Sequence, residues 1–366
     1  MSTATIRDVA AQARVSIKTV SRVINNVSTV KAHTREKVLR VIRRLDYHPN
    51  ASARGLSGSR SYLIGLLYDR SCEYYATSVL AGVLDTCRAA HYQVVMQPCD
   101  YRAPALAEEV ARNVRHSRAD GVILTPPLSD MVALVGILKE KNIPFVRIAP
   151  AEHPDVHRSV YTNDRESSAR MTEHLAALGH TRIGFIVGNP DHAAVGDRYR
   201  GYLDGLKNCG LTLDKALVVQ GYNSHQSGMQ AARKLLQASE EKRPTAIFAS
   251  NDEMAAGALA VAHSFGLGVP DDLSIAGFDD MPLASQVWPA LTTIRQPISA
   301  MSAKAADLLL RELRGESEDH TAHVIESSLT FRQSTGPAHN QRLEQVRSMR
   351  RAKAAQSATV ADGRKT

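Results

Sequence analysis

The chain is poor in cysteine and tryptophan, and it has no long apolar run. Its four cysteines, Cys72, Cys87, Cys99 and Cys209, are widely spaced and form no Cys-x-x-Cys pair. This spacing argues against a zinc site or a disulfide framework and favours buried, reduced thiols. No apolar run reaches the roughly 20 residues that a membrane-spanning helix needs. The first ten residues contain no apolar signal core, so we expect a cytoplasmic protein that is not exported.

The sequence motifs of several large enzyme classes are also missing. It contains no GxxxxGK[ST], no GxSxG and no HExxH pattern. The pairs Asn251-Asp252 and Asp279-Asp280 suit a divalent cation, but carboxylates and amides suit sugar hydroxyls equally well. We therefore predict a protein that is not an enzyme, with no catalytic residues, no metal site and no cofactor.

What the chain does have is positive charge concentrated at its two ends. Residues 1–61 contain 12 Lys and Arg against 3 Asp and Glu, and residues 337–366 contain 7 against 2. The whole chain is only +8, so the segment between them is acidic. A length of 366 residues allows two or three domains. This distribution predicts an N-terminal domain that binds a polyanion, joined to a body with another task.

Two short amphipathic helices are predicted between Ile6 and Asn25. Thr5, with Asp8 three residues later, has the spacing of a capping box for the first helix, and Ser16 can cap the second. In the second helix Val20 and its apolar neighbours face one side, and polar, cationic and amide side chains face the other. Such an exposed face is what reading the major groove of DNA requires.

The segment DVAAQARVSIKTVSRVIN, followed by TREKVLRVIRRLDYHPNASARGLSG, resembles the DNA-binding head and hinge of the LacI/GalR family of bacterial repressors. The resemblance implies an all-α helix-turn-helix domain over residues 1–48, a hinge helix and linker over 49–61, and contacts with operator DNA. The implied DNA-binding residues are Thr5, Ser16, Ile17, Lys18, Thr19, Ser21, Arg22, Asn25, Asn50, Ala53, Arg54 and Leu56. Among them Ile17, Lys18 and Arg22 would approach base edges. Leu56 would insert into the minor groove beside its dimer mate; alternatively, it is a linker residue that contacts the body.

Residues 62–336 alternate short apolar runs with amphipathic helices, which predicts parallel sheets covered by helices. Two successive series of this kind predict two lobes. The family resemblance implies that each lobe takes up two stretches of the chain, lobe 1 at about 62–160 and 292–321 and lobe 2 at about 161–291 and 322–336. Ligands of open α/β sheets bind at the carboxyl ends of strands. We therefore expect a ligand in the cleft between the lobes.

The resemblance continues to about Thr335, through GHTRIGFIVG, DRYRGY, FASNDEMAAGAL, VPDDLSIAGFDD and LTTIRQP. It implies an α/β, two-lobed body like that of periplasmic sugar-binding proteins, which binds an effector. The implied effector-binding residues are Asp69, Tyr75, Arg147, Arg198, Asn251 and Asp279. Of these, Arg198, Asn251 and Asp279 match the family's set for hydroxyl and carbonyl oxygens, whereas Arg147 stands where several sugar-responsive members have a carboxylate.

Each effector residue also has a structural alternative. Arg198 can form an ion pair with a carboxylate such as Asp197 or Glu173, and Asp279 can cap a helix. Tyr75 can be apolar filler, Asp69 a turn former, and Arg147 a partner that neutralises Asp69. His192 can reach the ligand or be a solvated loop histidine.

The combined prediction is a homodimeric, DNA-binding transcriptional repressor that reads a pseudo-palindromic operator and has no membrane partner. Its effector is predicted to be a saccharide inducer, which would connect it to carbohydrate uptake or catabolism. The alternatives are corepression by a purine or another metabolite, and a solute-binding protein that does not bind DNA. The basic tail, residues 337–366, has too short an apolar stripe for a coiled coil, and we expect it to be disordered.

Overall fold

The computed structural model describes residues 4–24, 29–47, 60–70, 73–150, 158–316 and 323–338. They belong to two compact units, Met1–Leu63 with Ser117–Asp120, and Ile64–His116 with Gly121–Thr366. The predicted hinge and tail lie almost wholly outside the described residues, so their limits stay predictions. In the part of the chain that is described, no helix has the length and apolarity to cross a bilayer.

Three helices form the head within the first unit, α1 (Ile6–Ala13), α2 (Ile17–Ile24) and α3 (Ala32–Arg44). The predicted capping box is present: Thr5 N donates to the Asp8 carboxylate at 2.7 Å, and Asp8 N donates to Thr5 Oγ1 at 3.4 Å. Ser16 Oγ accepts from Thr19 N at 3.1 Å, which caps α2 as predicted. The apolar sides of the helices share one core, which contains Val9, Ala10, Ala13, Val20, Val23, Val38, Val41 and Tyr47.

The second unit alternates strands and helices, as the sequence predicts. Its first part runs β1 (Leu63–Asp69), α4 (Glu73–Ala89), β2 (Gln93–Cys99), α5 (Leu106–Ser117), β3 (Gly121–Leu124), α6 (Val132–Glu140), β4 (Phe145–Ile148) and β5 (Ser159–Tyr161). Its second part runs α7 (Asp164–Ala177), β6 (Ile183–Val187), α8 (Ala193–Asn208), β7 (Val218–Gln220), α9 (His225–Leu236), β8 (Ala246–Ala249), α10 (Asp252–Ser264) and β9 (Ser274–Ala276). The chain continues through α11 (Pro282–Gln286), β10 (Thr293–Arg295), α12 (Ile298–Arg314), β11 (His323–Val324) and β12 (Ser328–Thr330).

These elements form two lobes, each built on a parallel sheet. The sheet of lobe 1 has the strand order β11-β5-β4-β3-β1-β2, and that of lobe 2 has the order β7-β6-β8-β9. Every residue of β3, β4 and β8 is buried, which requires that both faces of each sheet be covered. The parallel α/β body that the sequence predicts is therefore present.

The boundaries between the lobes differ from the predicted ones. Residues 292–321 were expected in lobe 1, and α12 does pack there against α4, but β10 pairs with β12 and bridges to Asp279, so β10 belongs with lobe 2. Residues 322–336 were expected in lobe 2, and β12 does lie there, but β11 pairs with β5 in the sheet of lobe 1. Strands of two or three residues are too short for their hydrophobic period to be recognised, which explains both differences.

The chain crosses between the lobes three times, after β5, after β10 and after β11. Two of the crossings are tied together, because Ser327 N donates to Asn163 Oδ1 at 2.8 Å. In the second crossing, Gln296 Nε2 donates to Asp164 at 3.3 Å. The three connecting segments are therefore joined to one another or to the start of α7.

Glycines let pairs of helices approach closely in both lobes. A Cβ atom on Gly201 of α8 would lie 2.1 Å from the carbonyl oxygen of Arg165 in α7. In lobe 1, a Cβ atom on Gly82 of α4 would lie 2.2 Å from the carbonyl oxygen of Ser299 in α12. Distances this short exclude any side chain unless the helices move apart.

The thiols match the prediction only in part. Cys87 and Cys99 are buried, and burial raises the pKa of Cys87 to about 11 and that of Cys99 to about 12. Cys209, which was expected to be buried, is exposed at the C-terminal cap of α8. Cys72 lies outside the described residues.

Candidate functional site

One exposed face of α2 presents the side chains predicted to read DNA. Val20 and Val23 are buried, while Lys18 and Arg22 are exposed and Ile17 is 47% exposed. Three further residues of the predicted set, Ser16, Thr19 and Ser21, lie on the same helix or its cap. The described residues also include Thr5, at the cap of α1, whereas Asn25, Asn50, Ala53, Arg54 and Leu56 lie outside them. The DNA contacts of all these residues stay predictions.

A cavity of about 170 Å³ lies between the lobes of the second unit. Lobe 1 lines it with Tyr75, Pro126 and Ala149, and lobe 2 with residues that follow its strands. The lining residues of lobe 2 and of the second crossing are Asn189, His192, Ala194, Val195, Arg198, Tyr222, Asn223, Ser224, Asn251, Asp252, Glu253, Asp279, Met281 and Gln296. This is the ligand position expected for open parallel sheets.

Arg198 projects from α8 into a set of fixed partners. Its Nε donates to Asp164 Oδ2 at 2.9 Å, its Nη1 donates to the Ser250 carbonyl at 2.6 Å, and its Nη2 lies 3.2 Å from Asp279 Oδ1. The guanidinium also stacks on the Phe278 ring, 3.8 Å from the ring centre. The alternative role as an ion pair is therefore realised, although not with Asp197 or Glu173. Two of the five guanidinium N–H groups have no partner among the described residues and remain for a ligand.

Three carboxyl groups that line the cavity, those of Asp252, Glu253 and Asp279, have a raised pKa. Burial raises the pKa of Asp279 to about 7, although the Arg198 charge acts in the opposite direction. Burial and the charge of Asp279 raise the pKa of Asp252, and burial raises that of Glu253. Asp279 does not cap a helix, since α11 begins after Met281; its φ of 106° is a strained conformation that aims its side chain at Arg198.

The side chain of Asn251 forms two hydrogen bonds with backbone groups near the cavity. Its Oδ1 accepts from Met254 N at 3.0 Å and so caps α10, and its Nδ2 donates to the Asn223 carbonyl at 3.0 Å. The second amide N–H has no partner in the described part of the chain, so it remains for a ligand. Asn251 therefore lines the cavity and also holds the loop after β7 against it.

His192 is neither solvated nor bonded through its outer nitrogen. The residue is 8% exposed, it lines the cavity, and its Nε2 is buried with no hydrogen-bond partner among the described residues. Burial lowers the pKa of the imidazole, which favours the neutral ring. A neutral ring in a polar cavity can donate to or accept from a ligand hydroxyl, so the solvated alternative is wrong.

Four of the six predicted effector residues line the cavity, Tyr75, Arg198, Asn251 and Asp279. Asp69 and Arg147 do not. Asp69 ends β1 and lines a neighbouring recess with Tyr101 and Tyr222. Arg147 is buried within β4, where its Nε donates to Ser159 Oγ at 3.2 Å and its Nη1 to the Ser129 carbonyl at 3.3 Å. Arg147 therefore stabilises the interior of lobe 1. The ligand contacts of the six residues stay predictions.

Several lining residues were not singled out from the sequence, notably Asn189, Tyr222, Asn223, Ser224 and Gln296. All but Gln296 follow directly after β6 or β7. The rule that ligands meet the carboxyl ends of strands would have found these four. Gln296 comes from a crossing segment, and no periodic pattern marks it.

Two family models match the chain. The model described as bacterial regulatory proteins of the lacI family matches residues 5–50, and that of a periplasmic binding protein-like domain matches residues 172–335. Catabolite control protein A of Priestia megaterium is 33% identical over 337 residues, which cover 90% of this chain and 99% of that protein. The repressor PurR of Aliivibrio fischeri is 32% identical over 326 residues, covering 88% of this chain and 95% of that protein.

Solved structures give the same result. The Lac repressor dimer bound to operator and the anti-inducer ONPF superposes with a TM-score of 0.77 at 29% identity, covering 92% of this chain and all of that chain. The complex of the transcriptional regulator CelR with cellobiose gives a TM-score of 0.69 at 30% identity, covering 90% of this chain and 99% of that chain. The similarity therefore extends over both units.

Proposed function

Because the chain belongs to the lacI family of bacterial regulatory proteins, it is a DNA-binding transcriptional repressor and not an enzyme, and we propose that a saccharide controls its affinity for operator DNA. The protein acts in the cytoplasm, where its operator is. Binding of the saccharide in the cavity between the lobes weakens operator binding and so induces genes of carbohydrate uptake or catabolism.

The head recognises DNA through α2. Ile17, Lys18 and Arg22 contact base edges in the major groove, and Ser16, Thr19, Ser21 and Asn25 hold phosphates or adjoining bases. A homodimer supplies two heads for the two half-sites of a pseudo-palindrome. The remaining contacts come from Thr5 and from the hinge residues Asn50, Ala53 and Arg54. Leu56 inserts into the minor groove beside the Leu56 of the other protomer.

The observation that carries the saccharide proposal is the set of Arg198, Asn251 and Asp279 facing one cavity. Sugar hydroxyls donate and accept hydrogen bonds in fixed directions. Within the described residues, the set offers guanidinium and amide donors without a partner beside a carboxylate acceptor, and His192 adds a ring nitrogen without one. Structures of relatives hold small glycosides and disaccharides, namely ONPG and cellobiose.

The experiment is an electrophoretic shift of DNA from upstream of the protein's own gene, with and without each member of a panel of sugars. We expect a sequence-selective, salt-sensitive complex that one sugar dissociates. A protein that forms no such complex at low salt is not the repressor described here. The variant Arg198→Ala should still bind operator but should no longer respond to the sugar.

A purine or another metabolite acting as corepressor is the second candidate. Tyr75 and Tyr222 both line the cavity, and two aromatic rings suit a flat heterocycle better than a polyol. A thermal-shift screen of purine bases against sugars separates the two ligand classes. Stabilisation by a purine alone, together with tighter operator binding in its presence, would replace the saccharide proposal.

A further inference from the structure

The lining of the cavity between the lobes contains more acidic than basic side chains. Among its described lining residues, Arg198 is the only permanent cation, whereas Asp252, Glu253 and Asp279 each bring a carboxyl group. Asp164, directly behind Arg198, adds a fourth. A ligand that enters the cavity therefore meets three acidic side chains and one guanidinium that is already paired with Asp164 and Asp279.

The guanidinium of Arg198 already forms ion pairs with two carboxylates. Asp164 and Asp279 lie 2.9 Å and 3.2 Å from its nitrogens, and both carboxylates and the guanidinium are nearly buried. Charges at such distances in a poorly solvated site interact strongly, so a third anion would compete with two fixed partners. The two remaining N–H groups can donate to hydroxyl or ring oxygens, which bring no charge.

We infer that the effector is uncharged or carries an amino group, and that the cavity rejects anionic sugars such as uronic acids and sugar phosphates. This inference deepens the proposed function and rests on it. It concerns the charge of the ligand. Membership of the family and similarity to particular relatives do not decide this charge, because it depends on how Arg198 is compensated in this chain.

The N-termini of the helices around the cavity carry partial positive charge and favour an anion, but this effect is weaker than that of the acidic side chains. The residues that cap α8, α9 and α10, His192, Ser224 and Asn251, line the cavity, and each helix start has a partial charge of about half an elementary charge. The first turn of α10 already holds Asp252 and Glu253, and that of α7 holds Asp164. The N-termini of α8 and α9, which have no acidic first turn, therefore offer partial charges only and add no full positive charge to the cavity.

Two further observations agree with an uncharged polyol. The buried Nε2 of His192 has no partner among the described residues, and a hydroxyl can satisfy it in either tautomer, whereas a carboxylate cannot donate to it. Burial raises the pKa of Asp279 and of Glu253, so the cavity already resists negative charge before a ligand enters.

The test uses matched sets of sugars on the full-length protein. Each set contains a neutral sugar, its 2-amino derivative, its uronic acid and its 6-phosphate. The neutral sugars are glucose, galactose, mannose and cellobiose. Ribose is added with only those derivatives that exist for it. Binding is measured by isothermal titration calorimetry at pH 7.5. For the set that binds, we expect the neutral or amino form to bind at least about tenfold more tightly than either anion, which is about 1.4 kcal/mol.

A uronic acid or phosphate that binds as tightly as its neutral parent overturns the inference but leaves the saccharide proposal standing. Absence of binding by every set, with operator binding intact, overturns both. The two results are thus distinguishable.

Charge variants test the cause of the rejection. Glu253→Gln removes one carboxylate from the lining and should narrow the preference for the neutral sugar over its uronic acid by threefold or more. Glu166→Gln is the control, because Glu166 is exposed in the first turn of α7 and does not line the cavity. An unchanged preference in Glu253→Gln, or an equal change in Glu166→Gln, contradicts the electrostatic cause. Operator binding by both variants verifies that they fold.

Discussion

The Tyr101 hydroxyl donates a 2.8 Å hydrogen bond to the carboxylate of Asp191, from the end of β2 in lobe 1 to the loop after β6 in lobe 2. Arg102 lies 3.3 Å from the same carboxylate. Asn189, which lines the cavity, donates to the Tyr101 hydroxyl at 3.3 Å. The Tyr101 ring also meets the ring of His192 edge to face. This group of side chains connects the two lobes at the rim of the cavity.

Replacing Tyr101 should weaken effector binding without removing a residue that lines the cavity. Tyr101→Phe deletes the bonds to Asp191 and Asn189 and keeps the ring against His192. A net hydrogen bond contributes about 0.5–1.5 kcal/mol, so we expect the dissociation constant of the effector to rise about twofold to tenfold. Calorimetry with the sugar found in the screen measures it. Operator affinity in the absence of sugar is the internal control, and an unchanged sugar affinity would show that the contact between the lobes is not coupled to binding.

The DNA-reading face of α2 can be tested by a single substitution. Arg22→Ala should reduce specific operator affinity by about 1–3 kcal/mol, because it removes a predicted base contact from an exposed side chain. Competition shifts with specific and scrambled DNA measure it. Arg170→Ala, on the exposed surface of α7, is the charge-matched control and should bind like wild type. A loss that is equal on specific and scrambled DNA would assign Arg22 to phosphate contact instead.

Asp279 should make the stability of the second unit depend on pH. Its pKa is raised from 3.8 to about 7 by burial, so the folded protein holds a proton that the unfolded chain has already lost between these values. The contribution of this proton to the free energy of unfolding is therefore fully present below pH 3.8 and is lost as pH rises through 7. Asp279→Asn has no carboxyl proton to lose, so its stability lacks this pH dependence. The wild-type Tm minus the variant Tm should therefore decrease from pH 4 to pH 8. Asp197→Asn, on the surface of α8, should follow wild type; a constant difference for Asp279→Asn would contradict the shift.

The packing of α8 on α7 depends on a missing side chain. Gly201→Ala would put a methyl group 2.1 Å from the Arg165 carbonyl, so the helices must separate and the Tm should fall by several degrees. Gly196→Ala lies in the same helix, but its Cβ would meet nothing closer than 3.4 Å, the end of the Arg200 side chain. It should stabilise slightly, since alanine is favoured over glycine by about 0.8–1.0 kcal/mol in helices. Thermal melts that rank the two variants in the opposite order would refute the packing argument.

The sequence predicted those parts that local patterns determine. Thr5 with Asp8 and Ser16 with Thr19 are signals within three residues, and the structure forms both caps. The alternation of strands and helices over the second unit is also the predicted one. These features depend on nearest neighbours in the chain and on hydrophobic period, which a single sequence contains.

The sequence could not determine what tertiary contacts decide. Arg147 has the polarity of a ligand residue, and only the position of Ser159 and of the Ser129 carbonyl makes it structural. Gln296 comes near Asp164, 132 residues away in the chain, because the second crossing passes the start of α7. The compensation of Arg198 by Asp164 and Asp279 likewise joins three distant segments, so the charge of the site could not be deduced from residue types alone.

The three crossings between the lobes restrict how the cavity can open. A single connecting segment would let the lobes twist and slide as well as separate. Here the first and third segments share the bond between Asn163 and Ser327, and the second is bonded to Asp164 beside them, so they bend together. Three joined segments leave rotation about one axis as the softest movement. Because Arg198 holds both Asp164 at the start of α7 and Asp279 before the second crossing, the residue predicted to sense the ligand is bonded directly to that axis.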